Sequence, residues 1–96
     1  MCTYQTATLP ISGSGKGAGG WFPLTDASVY LDHPVSAPAA HTLNIDFRNP
    51  DQGPSARVAV ELDPARAREL AHAILAVLDA APPGLVEDAP AGPAAP

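Results

Sequence analysis

Alternation of apolar and polar residues predicts two strands near the middle of the chain. In the segment from His41 to Phe47 every second residue is apolar, and the segment from Arg57 to Leu62 repeats the pattern. Successive side chains of a strand point to opposite faces, so each segment predicts one buried side and one side facing water. The intervening NPDQGPS supplies turn residues, and we therefore predict an antiparallel hairpin.

A change of period after Leu62 predicts a helix. Asp63 is suited to accept hydrogen bonds from free N–H groups of the first turn, and Pro64 fits there because its missing donor costs nothing. Pro82 and Pro83 end the helix. Between these two ends, apolar residues recur at three- and four-residue spacing and line one side of the helix, namely Ala67, Leu70, Ala71, Ile74, Leu75 and Leu78.

The first forty residues carry weaker patterns. Met1 to Ile11 predicts an edge strand that Pro10 ends. Ser12 to Gly20 contains five glycines in nine residues and predicts a flexible, lid-like loop. Ala27 to Leu31 predicts a further strand, and Asp32 to Ala40, with its two prolines, predicts an irregular connection.

Together these elements predict an α+β fold, in which a small antiparallel sheet of three to four strands is packed by one C-terminal helix. We expect a single domain over residues 1–80, because 96 residues leave no room for two. Residues 81–96 contain five prolines and little that could be buried, so they predict a disordered Pro/Ala-rich tail. The sheet face away from the helix is predicted to be wet or to form a dimer surface; it carries Asn44, Asp46, Arg57 and Glu61.

Size and charge restrict the function. The folding unit has about eighty residues, and the hydrophobic core of a domain of this size contributes only ~3–5 kcal/mol to stability. Such domains often gain further stability from a metal or a second subunit. One cysteine excludes an internal disulfide, and we expect a homo-oligomer. A net charge of −5 with scattered basic residues argues against nucleic-acid binding. No apolar run approaches the ~20 residues of a membrane span, and no signal-peptide pattern is present, so we expect no membrane association and a cytoplasmic location.

Several segments resemble a family of short bacterial proteins of unknown function. The resemblance rests on MCTYQT, ISGSGKGAGGWFPL, VYLDHP, HTLNIDFRNP and GPSARVAVEL, and it covers residues 1 to about 80. It implies a compact independent unit and carries no activity with it.

Cys2, His33 and His41 are the candidate metal ligands. The two histidines bracket the proline-containing connection at strand ends, where side chains converge on one rim of a sheet. Two imidazoles and one thiolate suit zinc, copper or iron, with Asp32 as a fourth ligand or as a group that orients a histidine. Without a metal, Cys2 lies at a frayed chain end, and the histidines belong to a turn and to the start of a strand.

The glycine-rich segment also suggests an anion site. Backbone N–H groups between Gly13 and Gly17 can form a concavity for an anion, with Lys16 adding positive charge. The segment is not a P-loop, since Gly17 stands where Ser or Thr binds magnesium. Lys16 is therefore the candidate ligand-binding residue, and a small molecule is a candidate partner.

Two classes of function stay open, and the sequence does not decide whether the protein is an enzyme. The first is a small metal- or ligand-binding accessory protein with a Cys/His site of catalytic or redox type, whose open metal position activates water, dioxygen or a small substrate. The alternative is a non-catalytic dimeric interaction module that docks on a partner enzyme. A third reading is a metal-free enzyme that uses the thiol and the α-amine of a processed Cys2.

Overall fold

The computed structural model describes residues 6–86 and confirms the α+β fold. Four antiparallel strands form one sheet in the order β1-β2-β3-β4, so each strand pairs with the next along the chain. One helix follows the last strand. The elements are β1 (Thr6–Gly17), β2 (Gly20–Asp32), β3 (Thr42–Arg48), a 3-10 turn (Pro50–Gln52), β4 (Arg57–Leu62) and α1 (Pro64–Ala80).

The glycine-rich segment is a strand, and the prediction of a lid-like loop over residues 12–20 was wrong. β1 continues past Pro10 to Gly17, which pairs with Gly20 across a two-residue turn. Ile11 and Ser12 together stand opposite Thr25, which is a β-bulge directly after the proline. An edge strand tolerates Pro10 because one side of it forms no ladder hydrogen bonds.

Glycine serves two distinct purposes in this hairpin. Gly20 has a φ of +112°, a conformation that residues with a Cβ rarely adopt, so it closes the turn. Gly15 lies against the side chain of Leu24, and a Cβ built at Gly15 would lie 3.1 Å from Leu24 Cδ1. The glycines therefore shape a tight turn and a close contact.

The predicted hairpin between residues 41 and 62 is confirmed, with β3 beginning at Thr42. Asn49 holds the connection: its Oδ1 accepts from the backbone N–H of Asp51 at 3.2 Å, and its Nδ2 donates to the carbonyl oxygen of Pro23 at 3.0 Å. The Asn49 side chain thus ties the β3–β4 connection to β2. Its burial, with 5% exposure, agrees with this role.

The predicted helix is also confirmed, beginning at Pro64 and ending at Ala80. The Asp63 side chain caps it by accepting from the backbone N–H of Arg66 at 3.1 Å. No residue of α1 is buried, although its apolar stripe faces the sheet. Within residues 6–86 no helix has the length and apolarity that crossing a membrane would require.

Three hydrophobic residues are buried among residues 6–86, and none of them belongs to α1. They are Leu24, Ala27 and Ala56, which belong to β2 and to the turn before β4. Residues 81–86 after α1 form neither helix nor strand, and the remaining part of the predicted tail, 87–96, lies outside the described residues. α1 consequently contributes no buried residue to the core.

Candidate functional site

His33 and His41 meet at one rim of the sheet, as their positions at strand ends predict. Asp32 ends β2 and pairs with Thr42, the first residue of β3, so the next residue outward on each strand is a histidine. The two ring centroids lie 4.7 Å apart, with the ring planes tilted by 33°. The imidazoles therefore form a pair that the strand register itself creates.

One hydrogen bond orients the first ring. His33 Nδ1 lies 3.1 Å from the carbonyl oxygen of Ala40, and a carbonyl can only accept, so Nδ1 carries the proton in this contact. In a neutral ring the lone pair is then on Nε2, the arrangement that metal-binding histidines commonly show. Nε2 is thus the His33 nitrogen whose lone pair could coordinate a metal.

Asp32, predicted as a fourth metal ligand or as a group that orients a histidine, contacts the backbone of His33. Its Oδ1 accepts the backbone N–H of His33 at 2.7 Å, a contact that orients the chain at the strand end. Among residues 6–86, no group of three or more His, Cys, Asp or Glu side chains is arranged to hold a metal ion. Cys2 lies outside the described residues, so the three-ligand site with His33 and His41 stays a prediction.

Lys16 lies near the tip of the β1–β2 hairpin, where it pairs with Trp21. A cavity of about 260 Å³ lies at this tip and reaches across to Gln52 and Ala56, but Lys16 is not among the residues that line it. The Gly13–Gly17 backbone is in a strand, which does not form the predicted concavity. Anion binding by Lys16 stays a prediction without geometric support.

The predicted irregular connection between β2 and β3 is confirmed over residues 33–41. A carboxylate that sequence reasoning did not single out for this role holds it. Glu61 of β4 accepts three backbone N–H groups, from Val35 at 2.6 Å, Ser36 at 3.0 Å and Ala37 at 2.9 Å. These hydrogen bonds favour the charged form and lower the pKa of Glu61. Glu61 therefore anchors the connection on the sheet.

The face of the sheet that carries Glu61, here called the polar face, contains a second closed network. Asp46 accepts from the hydroxyl of Tyr30 at 2.8 Å and from two nitrogens of Arg57, at 2.8 and 3.2 Å. Burial, followed by the hydrogen bond to Asp46, raises the pKa of Tyr30. Thr42 is fully buried on this face and donates to Asn44 Oδ1. We predicted this face to be wet or to form a dimer surface; at Thr42 and Asn44 it is buried within one chain.

The opposite face, here called the apolar face, forms an open groove with α1. The groove has a volume of about 420 Å³. The sheet contributes Val29, Leu43, Ile45 and Leu62, and the helix contributes mainly Ala67, Leu70, Ala71 and Ile74. All four sheet residues are partly exposed, and Leu70 and Ile74 are 45% and 52% exposed. Helix and sheet therefore border a gap that neither fills.

Comparison with known families gives one match. The family model of a family of unknown function, DUF6295, matches residues 1–87 of the chain. The chain belongs to DUF6295. This confirms the resemblance to a family of unknown function. Comparisons with curated proteins and with solved structures gave no match.

Membership of DUF6295 supplies no activity, so the chemistry must be inferred from the chain itself. Three arrangements stand out: the histidine pair, the closed networks of the polar face, and the open groove of the apolar face. The positions of the histidines at strand ends predict the histidine pair. The periodicity of the helix and of the strands predicts the two apolar surfaces of the groove. The networks depend on the path of the connection over the sheet, for which the sequence gives no periodic signal.

Proposed function

We propose that this protein is a non-catalytic interaction module that associates with a second copy of itself through α1 and the apolar face. The observation that carries the proposal is the exposure of both apolar surfaces. Among the described large hydrophobic side chains only Leu24 is buried, whereas Val77 at the far end of the helix is 71% exposed. That such a dimer docks on a partner enzyme stays a prediction.

Energetics favour the same conclusion. Helices in proteins gain most of their stability by packing an apolar side against the rest of the fold, and no residue of α1 is buried. Complete burial of one Leu or Ile side chain contributes about 1.5–3 kcal/mol, so Leu70, Ile74 and Leu78 each leave a substantial part of this unused in one chain. A second copy that covers the stripe would recover it.

Measurement of mass in solution tests the proposal. Sedimentation of the full chain is expected to show a monomer–dimer equilibrium, and Ile74→Asp is expected to raise the dissociation constant at least ~100-fold, because it places a charge in the apolar contact. Ala76→Asp is the matched control: it adds the same charge on the side of the helix away from the stripe, and dimerisation should persist. A wild-type protein that remains monomeric at high concentration contradicts the proposal.

The histidine pair favours a second candidate function, metal binding. His33 and His41 lie close enough to share one ion, and the orientation of the His33 ring suits coordination through Nε2. Cys2 precedes Thr6 by four residues, an extended length of up to ~14 Å. His33 is three residues beyond Tyr30, the pairing partner of Thr6, which is ~10 Å along a strand. The chain between Cys2 and Thr6 is thus long enough for the Cys2 thiol to reach His33 and His41.

Metal content after purification without a histidine tag tests this second candidate. His41→Ala and Cys2→Ala should each lower the bound zinc, copper or iron, and cobalt(II) added to the wild type should show a thiolate charge-transfer band that Cys2→Ala removes. His72→Ala is the control, because it removes an imidazole from the helix and should leave the metal content unchanged. Equal metal content in all variants would exclude the site.

A further inference from the structure

The helix carries its unpaired charges in a pattern that suits a second copy. Arg68 lies early in α1 and Asp79 late, separated by eleven residues, which is close to three turns and roughly 16 Å. A separation of nearly whole turns places both residues along one edge of the apolar stripe. Within residues 6–86 neither side chain forms an ion pair or a side-chain hydrogen bond, whereas Arg66 pairs with Glu69 at 2.8 Å.

An acidic residue in the last turn opposes the helix dipole, which favours cations at that end. α1 contains no basic residue in its last turn, so Asp79 gains no stabilisation from its own helix. Arg68 is likewise a cation in the N-terminal half. The helix alone therefore does not account for the order in which these charges occur.

We propose that two copies of this chain pair through antiparallel α1 helices about a two-fold axis near Ile74, with Arg68 of each copy meeting Asp79 of the other. This inference rests on the proposed self-association and specifies its geometry. In an antiparallel pair the same edge of each helix faces its counterpart, so a basic start meets an acidic end twice per dimer. A two-fold contact of this kind is self-complementary.

The apolar residues follow the same symmetry. The arrangement that brings Arg68 to Asp79 of the second copy also places Leu70 opposite its Val77, with the two Ile74 side chains near the axis. A groove of about 420 Å³ admits side chains but not a whole helix of about 10 Å diameter. The second helix therefore lies along the open side of the groove and inserts its apolar side chains into it.

Charge reversal tests the pairing in the full-length protein. Arg68→Asp and Asp79→Arg should each weaken the dimer about tenfold at low salt, because each replaces two attractions by two repulsions. Both changes place at each helix end a charge that the dipole favours, so neither weakens the dimer by unfolding α1. Sedimentation equilibrium gives the dissociation constants.

Mixing the two weakened variants provides the decisive measurement. A heterodimer of Arg68→Asp with Asp79→Arg regains both attractions, so the mixture should dimerise within about threefold of the wild type. Arg66→Asp is the matched control: it makes the same charge change at a residue paired within its own helix, and the dissociation constant should stay within about threefold.

The possible outcomes separate this inference from the proposed function. A monomeric wild type overturns both. A dimer that Ile74→Asp dissociates, but in which the charge reversals act no more strongly than Arg66→Asp, keeps the self-association and overturns the antiparallel pairing. Weakened single variants whose mixture shows no recovery also overturn the pairing.

Discussion

The carboxylates of Asp46 and Glu61 on the polar face and the side chains of the apolar face differ in how completely one chain satisfies them, although Asp26 Oδ1 and Arg48 Nε on the polar face have no hydrogen-bond partner among residues 6–86. On the polar face Asp46 receives three hydrogen bonds and Glu61 another three, all from the same chain. On the apolar face the side chains of Leu43 and Ile45 remain partly exposed beside an open groove. A soluble domain seldom leaves adjoining apolar surfaces uncovered without a use for them. The difference supports our proposal that the polar face stabilises the single chain and that the apolar face is the surface for association.

The largest effect is expected from removing the centre of the polar face. Asp46→Ala should lower the free energy of unfolding by about 2–3 kcal/mol, because the hydroxyl of Tyr30 and the guanidinium of Arg57 both lose their acceptor. The Asp46 side chain is only 14% exposed, so water replaces it incompletely. Urea unfolding at several protein concentrations measures the loss, which should be the same at each.

Asp51→Ala is the control for Asp46→Ala, because it removes the same charge from an exposed position in the 3-10 turn. Its effect should remain below ~0.5 kcal/mol. Equal losses in the two variants would show that the network contributes no more than surface charge does, and the contrast between the two faces would then disappear.

On the apolar face we expect a smaller loss of stability, one that depends on protein concentration. Leu43→Ala should cost about 1–2 kcal/mol in dilute protein, since the side chain is only partly buried in one chain. The loss should grow as the wild type is concentrated, because only the dimer completes the burial. Val35→Ala, at a residue that is 94% exposed, should change stability little at any concentration. If the loss of stability in Leu43→Ala is the same at every protein concentration, the result argues against association through this face.

Periodicity predicted most of the fold because it reports which residues share one face of a strand or helix. The segment from His41 to Phe47 alternates as a strand with two different faces must, and the capped stripe after Asp63 repeats as a helix must. The prediction of a loop over the glycine-rich segment was wrong because glycine content indicates how many backbone conformations are allowed and not which one is adopted. Gly15 is a strand residue because it pairs with Phe22 of β2, and it lies against the side chain of Leu24; both contacts are with residues seven or more positions away.

The candidate site was predictable only where register fixes it. His33 follows the last paired residue of β2 and His41 precedes the first paired residue of β3, so their meeting is a consequence of strand pairing. The attachment of the Asp32–Ala40 connection to Glu61 is different, because backbone N–H groups carry no mark in the sequence. The partial exposure of α1 was equally hidden, since an apolar stripe looks the same whether one chain or two bury it.

Tyrosine ionisation tests the polar face at alkaline pH. Because the pKa of Tyr30 is raised above its ordinary value of 10.0, its contribution to stability is present below pH 10 and is lost as the pH rises through the folded-state value. Tyr30→Phe should cost about 1 kcal/mol at neutral pH and should lose less stability than the wild type above pH 10. Urea unfolding between pH 8 and 11 measures both. Parallel curves for the two proteins would show that Tyr30 does not ionise differently on folding.

The smallest effect is expected where the polar face meets the connection between β2 and β3. The pKa of Glu61 is lowered from its ordinary value of 4.5, so its stabilisation is present above that value and is lost as the pH falls through the folded-state value. The amide proton shifts of Val35 and Ala37 should therefore titrate together at a pH below 4.5, and Glu61→Gln should abolish that titration. Glu69→Gln, which removes the same charge from the helix, should leave it intact. Amide shifts that titrate identically in the Glu61→Gln variant would mean that another group holds the connection, and the polar face would then be less complete than its hydrogen bonds indicate.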